Sequence, residues 1–257
     1  MKEAVVSDIH ANIEALERVL VDINNKGINR IICLGDVIGY GASPAQCLDL
    51  AMKFDVCLVG NHEWAVMNQP VGFNRAARKA VEFTRSKLKH GFLSGSKAKK
   101  RWEFLKNLPE KHKEGNYLFV HGSPTSPIEE YILRQDVDEV LGDWTKKIEL
   151  AFENTEFVAM IGHTHSPGIL SSDARFITPG ETGWKYTFEE GKKYLVNVGS
   201  VGQPRDRDPR ACYAVLDREN HTVEYFRIEY NVNLAMKKIH DTEFMDEQLA
   251  ERLKGGT

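Results

Sequence analysis

The sequence has few cysteines and no pattern that would use them to hold a fold together. Cys33, Cys47, Cys57 and Cys212 are scattered along 257 residues, and no two of them form a C-x-x-C pair. This spacing argues against a zinc ribbon and against a scaffold stapled by disulfides. Cys33 and Cys57 lie in apolar runs, where a thiol packs as a small hydrophobic side chain.

The chain also lacks the long apolar segments that secretion or membrane insertion requires. No apolar run approaches the length that spans a bilayer. Near the start of the sequence, Ser7, Asp8 and His10 interrupt the apolar residues too early for a signal peptide. Together with the scattered cysteines, these absences predict a cytoplasmic protein without a membrane partner.

A large excess of charge of one sign is missing as well. The 34 lysines and arginines are balanced by 37 aspartates and glutamates, so the formal net charge is −3. Without a basic field, nucleic acid is an unfavoured partner, and a nuclease acting on DNA is disfavoured. The basic run at residues 97–101 is interpreted as a solvated helix face. A small anionic substrate stays compatible with this balance, because bound cations can supply positive charge.

What the sequence does contain is a regular alternation of short apolar runs and helical periodicities. Residues 4–6, 30–34 and 56–59 are strand-like. A helical pattern at residues 13–23 and a second helix starting at Pro44 separate them. This order predicts a sheet covered on both faces, within a single α/β domain over residues 1–257.

The remainder of the chain divides into three regions. Residues 64–115 are predicted as a helical insertion that could overhang a site, with a glycine-containing break at residues 91–95. Short strands follow, and their tight spacing between residues 168 and 230 predicts a second sheet with hairpin connections. Residues 231–257 are predicted to form a C-terminal helix, which could pack on its own sheet or on a second subunit.

Polar residues follow five of the strand-like runs. In open α/β sheets, ligands bind outside the carboxyl ends of the strands, so these five ends could converge on one crevice. They would offer two carboxylates, one amide oxygen and four imidazoles, a set that suits two cations sharing a carboxylate better than one cation. The candidate donors are Asp8, His10, Asp36, Asn61, His121, His163 and His165.

Each of these strand ends has a simpler interpretation when it is taken alone. A single aspartate more often caps a helix or forms a turn, and a single histidine more often bonds to nearby backbone. The neighbouring glycines could each serve a tight turn. Five such ends in one chain are hard to explain by turn chemistry, and they favour a shared metal site.

The motif blocks of the sequence resemble those of the calcineurin-like metallophosphoesterases. Residues 73–88 and 197–206 resemble a bacterial and archaeal branch of that family, which includes phosphodiesterases and diadenosine tetraphosphatase-like proteins. The resemblance covers residues 5–216 and implies a four-layer αββα sandwich with a dinuclear site at the sheet edge. The blocks are SDIHAN (7–12), GDVIGYG (35–41), GNHE (60–63), VHGSP (120–124) and GHTHSP (162–167).

The same resemblance implies a role for each candidate residue. Two half-sites would share one carboxylate: Asp8, His10 and His165 at the first ion, Asn61, His121 and His163 at the second, and Asp36 between them. His62 would lie beside the ions without binding them and act as general acid toward the leaving-group oxygen. The implied reaction is phosphoester hydrolysis by a hydroxide held between two divalent cations. Manganese is the first candidate, with iron, zinc, cobalt and nickel as alternatives.

Two features bear on how the phosphate would be bound. The arginine that follows the bridging aspartate in protein Ser/Thr phosphatases is absent from residues 35–41, which disfavours protein phosphatase activity. Arg205 and Arg75 are alternative phosphate contacts, although each could instead form a surface ion pair. Glu63 could keep the neighbouring imidazole protonated or place a negative charge at a helix N-terminus.

The substrate is less well defined by the sequence than the site. The first hypothesis is a phosphate mono- or diester of a small, nucleotide-like molecule, and Tyr40, Trp64 or Phe73 could stack on its base or pack in the core or a lid. An alternative is a dinucleoside polyphosphate such as diadenosine tetraphosphate. A noncatalytic scaffold is a third reading, disfavoured because no donor has been lost. An oligomer is compatible with all three.

Overall fold

A computed structural model of the chain describes residues 2–70, 72–89 and 95–257. Fourteen strands and eight α-helices lie within these ranges. The strands are β1 Lys2–Val6, β2 Ile31–Cys33, β3 Val56–Cys57, β4 Lys111–Glu114, β5 Tyr117–Val120, β6 Val137–Asp138, β7 Asp143–Trp144, β8 Val158–Ile161, β9 Gly168–Ser171, β10 Arg175–Ile177, β11 Lys185–Thr187, β12 Tyr194–Asn197, β13 Ala211–Asp217 and β14 Thr222–Ile228. The helices are α1 Ile13–Asn25, α2 Pro44–Ala51, α3 Asn61–Met67, α4 Arg75–Leu88, α5 Ser96–Lys106, α6 Lys146–Glu153, α7 Val232–His240 and α8 Gln248–Gly255.

Most of the strands form two mixed six-stranded sheets. The first sheet has the order β11-β14-β13-β1-β2-β3, and β1, β2 and β3 run parallel. The second sheet has the order β10-β9-β12-β8-β5-β4, and β5, β8 and β12 run parallel. The short strands β6 and β7 pair as a separate hairpin. Each sheet therefore brings the carboxyl ends of three parallel strands to one edge.

The two sheets pack face to face through a buried apolar layer. Val5 and Ile32 of the first sheet share this layer with Phe119, Met160 and Val196 of the second. Because successive residues of a strand point to opposite faces, Ala4 and Val6 lie on the other side of β1, among the helices. Strands buried on both faces account for the continuous apolar runs in the sequence.

Helices cover the outer face of each sheet. α1 begins where the Asn12 side chain accepts a hydrogen bond from the Ala15 amide at 3.1 Å, and it buries Leu16 and Val19 against the first sheet. α6 buries Ile148 against the outer face of the second sheet. The resulting helix-sheet-sheet-helix order confirms the predicted αββα sandwich.

The predicted second sheet was wrong in its membership. β9, β10 and β12 belong to the second sheet, but β13 and β14 lie in the first, where β13 pairs with β1. The physical reason is that every residue of β13 is buried. A strand with two buried faces needs a central position in a covered sheet, and hairpin spacing in the sequence does not reveal which sheet provides it.

The region from residue 64 to 115 contains one strand in addition to helices. α4 and α5 lie in it, whereas β4 pairs with β5 as an edge strand of the second sheet. A turn at Gly115, with φ 60°, joins the two strands. Of the predicted break at residues 91–95, residues 91–94 lie outside the described part of the chain.

The C-terminal region contains two helices where one was predicted. α7 and α8 fold back on each other, so that Ala235, Ile239 and Leu253 join one apolar cluster with Ala80 of α4. A single straight helix could not bring both apolar faces to the same cluster. Among the described residues, no helix has both the length and the apolar character needed to cross a bilayer, and α4, the longest, has 14 residues.

Candidate metal centre

The candidate donors gather at the edge where the parallel strands of both sheets end. Asp8 and His10 follow β1, Asp36 follows β2, and Asn61 begins α3 just after β3. The second sheet contributes His121 after β5 and the pair His163 and His165 after β8. All seven side chains lie together, and all except Asn61 are buried.

The first group of donors consists of Asp8, His10 and His165. Asp8 Oδ1 lies 3.3 Å from His165 Nε2 and 3.8 Å from His10 Nε2. The two imidazole Nε2 atoms are 2.9 Å apart. Three potential ligand atoms therefore face one small volume.

The second group consists of Asn61, His121 and His163, with Asp36 between the two groups. His121 Nε2 lies 3.1 Å from Asn61 Oδ1 and 3.1 Å from His163 Nδ1. Asp36 Oδ2 lies 3.7 Å from His10 Nε2 and 3.4 Å from His121 Nε2. The carboxylate of Asp36 is thus placed to serve both groups.

The hydrogen bonds of the imidazoles show that these clusters suit cations. His10 Nδ1 donates to the Ile38 carbonyl at 3.2 Å, and His165 Nδ1 donates to the Gln203 carbonyl at 2.6 Å. A carbonyl only accepts, so each neutral ring carries its proton on Nδ1 and directs a lone pair from Nε2. Burial lowers the pKa of both His10 and His165, which opposes a second proton.

Two lone pairs at this separation repel each other unless a cation lies between them. Asp8 Oδ1 supports the same conclusion, because it is buried and has no hydrogen-bond partner among the described residues. On the other side, His163 Nε2 donates to the Glu129 carbonyl at 3.2 Å, which turns its Nδ1 toward His121. The mixed oxygen and nitrogen donors without thiolate fit a divalent transition metal.

The backbone at the donors adopts an unusual conformation. Asp8, His10, Asp36, His163 and His165 have φ between 47° and 66°, in the left-handed region. Residues other than glycine rarely adopt this conformation, which costs of order 1–3 kcal/mol for each residue. Five strained donors in one cluster indicate that the surrounding structure fixes the backbone there for function.

Glu63 holds two of the donor loops in place. Its buried carboxylate accepts hydrogen bonds from the amides of Asp36 at 2.8 Å, Ile38 at 3.0 Å and Gly60 at 2.8 Å. This geometry favours a role for Glu63 at the N-terminus of α3. The alternative, in which Glu63 keeps the neighbouring imidazole protonated, is less well supported. Burial and the charge of Asp36 raise the pKa of Glu63 to about 7, while the bonds from Ile38 and Gly60 oppose that rise.

Gly60 is required by the close approach of these loops. A Cβ atom at Gly60 would overlap the carboxylate and amide of Asp36. The Asp36 carboxylate also accepts a hydrogen bond from the His62 amide at 2.9 Å. The start of α3 is therefore packed directly against the shared aspartate.

His62 is buried beside the donors. Its ring centroid lies 4.4 Å from that of Tyr40, 5.0 Å from that of His10 and 5.0 Å from that of Phe73. Its Nδ1 atom has no hydrogen-bond partner within the part of the chain that the structure describes. Burial lowers the pKa of His62 to about 4, although the Asp36 carboxylate opposes this shift.

The two candidate arginines occupy different positions. The Arg205 guanidinium lies 5.7 Å from the Tyr40 ring centroid and donates to Gln203 Oε1 at 2.8 Å. Its Nε atom is buried and has no hydrogen-bond partner among the residues described here. Arg75 is exposed at the start of α4. It does not line the cleft that opens beside the second group of donors and is described below.

The sequence interpretation missed several residues that hold the site. Asn197 Nδ2 donates to the Gly162 carbonyl at 2.6 Å, and Ser200 Oγ donates to the Asp8 carbonyl at 2.8 Å. Both residues belong to the 197–206 block, so the resemblance carried a signal for them. Tyr131 was also missed; it stacks on His163 and lies in a loop without any motif or periodicity.

A cleft of about 260 Å³ opens beside the second group of donors. We call it the aromatic cleft. Its lining includes Tyr40, Asn61, Trp64, Phe73, Tyr131 and His163.

We expect Mn²⁺ added to EDTA-treated protein to raise the melting temperature by roughly 5–10 °C. A ligand at 100 times its Kd adds about 2.7 kcal/mol, and each kcal/mol shifts a protein of this size by about 2–4 °C. Thermal unfolding followed by circular dichroism measures the shift. His121→Ala should reduce it clearly, and His240→Ala, at an exposed position at the end of α7, should retain it in full. An equal shift in both variants would place the binding elsewhere.

Comparison with known proteins supplies relatives over nearly the whole chain. The model of the calcineurin-like phosphoesterase superfamily domain matches residues 1–221. The uncharacterized protein MJ0912 of Methanocaldococcus jannaschii is 36% identical over 258 residues, which cover 97% of this chain and 96% of that protein.

Two solved structures share the fold over their full length. A metallophosphoesterase from Sphaerobacter thermophilus is similar with a TM-score of 0.79 and 30% identity, covering 100% of this chain and 99% of that one. The hypothetical protein PH1004 from Pyrococcus horikoshii has a TM-score of 0.75 and 19% identity, covering 100% of this chain and 98% of that one.

Proposed function

Because the chain belongs to the calcineurin-like phosphoesterase superfamily and is a metal-dependent phosphoesterase, we propose that it hydrolyses phosphate mono- or diesters of a small, nucleotide-like molecule. The family match confirms the resemblance drawn from the motif blocks. The observation that carries the proposal is the position of Asp36, whose carboxylate lies between two groups of nitrogen and oxygen donors. A shared carboxylate of this kind suits two cations that act on one phosphoryl group.

The proposed ligands follow the two groups of donors. The assignment is Asp8, His10 and His165 for one ion, Asn61, His121 and His163 for the other, and Asp36 for both. When bound, the two cations supply Lewis-acid polarisation of the phosphoryl oxygens and a lowered pKa for water. Manganese is the proposed metal, and iron, zinc, cobalt and nickel also suit these donors.

The remaining side chains would bind and orient the ester. The carbonyls of Ile38, Gln203 and Glu129 would keep the ring protons of three of the four imidazoles away from the ions, so these three rings present lone pairs without rearrangement. The three are His10, His165 and His163. Arg205 lies beside Tyr40 and is the better supported phosphate contact, because guanidinium suits phosphoryl oxygens. Arg75, exposed outside the aromatic cleft, has less support for this role.

His62 is the proposed proton donor to the leaving group, a role that requires the charge of the bound phosphoester to oppose the lowering of its pKa by burial. It is buried, next to Asn61 in sequence, and its Nδ1 atom is not engaged by described residues. A general acid contributes about 10²–10⁴-fold when the leaving oxygen is a poor anion, and much less when the anion is stable.

We therefore expect His62→Ala to slow an alkyl phosphodiester by about 10²–10⁴-fold and bis-p-nitrophenyl phosphate far less. Initial rates with Mn²⁺ for the two esters measure this, and elemental analysis checks that metal content is unchanged. An equal loss on both esters would show that His62 positions groups and does not donate the proton.

The test of the proposed function itself is hydrolysis of a panel of small phosphoesters by the manganese-loaded protein. Turnover of nucleotide-like mono- or diesters is the expected result, and no turnover of any ester would overturn the proposal. Diadenosine tetraphosphate belongs in the panel, because chromatography of its products decides whether the dinucleoside polyphosphate alternative holds.

A further inference from the structure

The aromatic cleft is lined both by proposed metal donors and by aromatic side chains. Asn61 and His163 line it, so whatever enters the cleft lies next to the proposed second ion. Tyr131, Phe73 and Trp64 line the same cleft. A group attached to a phosphoryl at the metal centre would therefore extend between aromatic side chains.

Tyr131 is the aromatic residue most available to a ligand. Its ring stacks on His163 with centroids 3.7 Å apart and an interplanar angle of 26°, yet 43% of the residue is exposed. By contrast, Tyr40 packs against the rings of both His10 and His62. Packing against His163 therefore uses only part of the Tyr131 ring, and the rest stays accessible beside the candidate donors.

The Tyr131 loop is held firmly at several points. Lys147 Nζ donates to the Tyr131 carbonyl at 2.7 Å, and the Gly122 amide donates to the Pro127 carbonyl at 2.6 Å. His163 is tied to the same loop through the Glu129 carbonyl. The ring of Tyr131 is thus pre-positioned, which reduces the entropy lost when a ligand stacks on it.

Phe73, which also lines the cleft, is positioned by the start of α4. The Asn74 side chain accepts a hydrogen bond from the Ala77 amide at 2.9 Å and caps this helix. Phe73 precedes the cap and contacts His62 edge to face, at an interplanar angle of 68°. Phe73 therefore borders both the aromatic cleft and the proposed general acid.

We propose that the aromatic cleft binds one planar aromatic group of the ester, such as an aryl or nucleobase ring, stacked on the exposed part of Tyr131. The volume of about 260 Å³ is slightly below the 300–1,000 Å³ typical of sites for drug-sized ligands and has room for one ring system. The inference rests on the proposed function for the position of the phosphoryl group. It makes Tyr131 a specificity-determining residue of that reaction.

The experiment compares benzylphosphonate with cyclohexylmethylphosphonate, because these compounds differ mainly in the planarity of the ring. Their carbon–phosphorus bonds are not phosphoesters, so isothermal titration of the manganese-loaded protein measures binding alone. Aromatic pairing contributes about 0.5–1.5 kcal/mol beyond area burial, so we expect benzylphosphonate to bind about 3- to 10-fold more tightly.

Variants at Tyr131 separate stacking from support of His163. Tyr131→Phe should keep the preference and Tyr131→Leu should lose it, with bound manganese measured for both variants. Equal affinities in the wild type, a preference that survives in Tyr131→Leu, or no binding of either phosphonate would each overturn the inference. A preference in a protein that hydrolyses no ester would leave the subsite in place and remove the proposed function. Ester hydrolysis by a protein that binds the two phosphonates equally would leave the proposed function in place and remove the subsite.

Discussion

Asp36→Asn is expected to reduce bound metal from about two ions per chain to one or fewer, and to slow hydrolysis of bis-p-nitrophenyl phosphate by more than about 100-fold. The Asp36 carboxylate uses one oxygen to accept from the His62 amide and points the other between His10 and His121. An asparagine has only one acceptor oxygen. The amide nitrogen of the asparagine must then face either the His62 backbone N–H group or the cations. An NH₂ group can neither accept a hydrogen bond nor bind a cation, so neither orientation works.

Elemental analysis and initial rates measure the two effects of Asp36→Asn. Asp241→Asn is the matched control, because Asp241 is an exposed carboxylate at the end of α7. Circular dichroism checks that both variants fold. Unchanged metal content and rate in a folded Asp36→Asn protein would remove the proposed shared ligand and, with it, the two-ion site.

Glu63→Gln is expected to destabilise the metal-free protein by about 2–5 kcal/mol. The carboxylate of Glu63 accepts from three buried backbone amides, whereas glutamine offers one oxygen and places an NH₂ group against an amide donor. A buried donor left without a partner costs about 1–3 kcal/mol. Because the same bonds shape the Asp36 loop, metal affinity should also fall by about 10–100-fold.

Thermal unfolding in EDTA measures the loss of stability in Glu63→Gln, and we expect its melting temperature to be lower by roughly 5–15 °C. Titration with Mn²⁺ measures the fall in metal affinity. Glu82→Gln, an exposed change on α4, is the control and should leave both quantities unaltered. A melting temperature equal to that of the wild type would show that Glu63 does not support these loops.

The positions of the donors could be predicted from the sequence because the signal is local. Five of the six parallel strands are followed within four residues by one of the candidate donors, and parallel strands end at the same edge of a sheet. The strand Tyr117–Val120, for example, is followed directly by His121. The family resemblance then supplied the pairing of donors into two groups.

The parts that could not be predicted depend on contacts between distant residues. β13 has a strand pattern, but only its pairing with β1 decides its sheet. The end of α7 near His240 depends on the packing of α8 against the same cluster as α7. Tyr131 has no periodic neighbour or motif, so its place beside His163 follows only from the folded loop. Likewise, nothing local separates Arg205, beside Tyr40, from Arg75, at the surface.

The left-handed backbone at five donors has a consequence for anyone who would engineer this centre. Grafting the seven side chains onto another scaffold would reproduce the chemistry only if the three loops that carry these five residues were copied with them. Aspartate, asparagine and histidine tolerate such turns better than β-branched residues do. A valine at Asp8 would therefore remove a ligand and also distort the chain that carries His10, whereas an asparagine there would alter the charge and spare the turn.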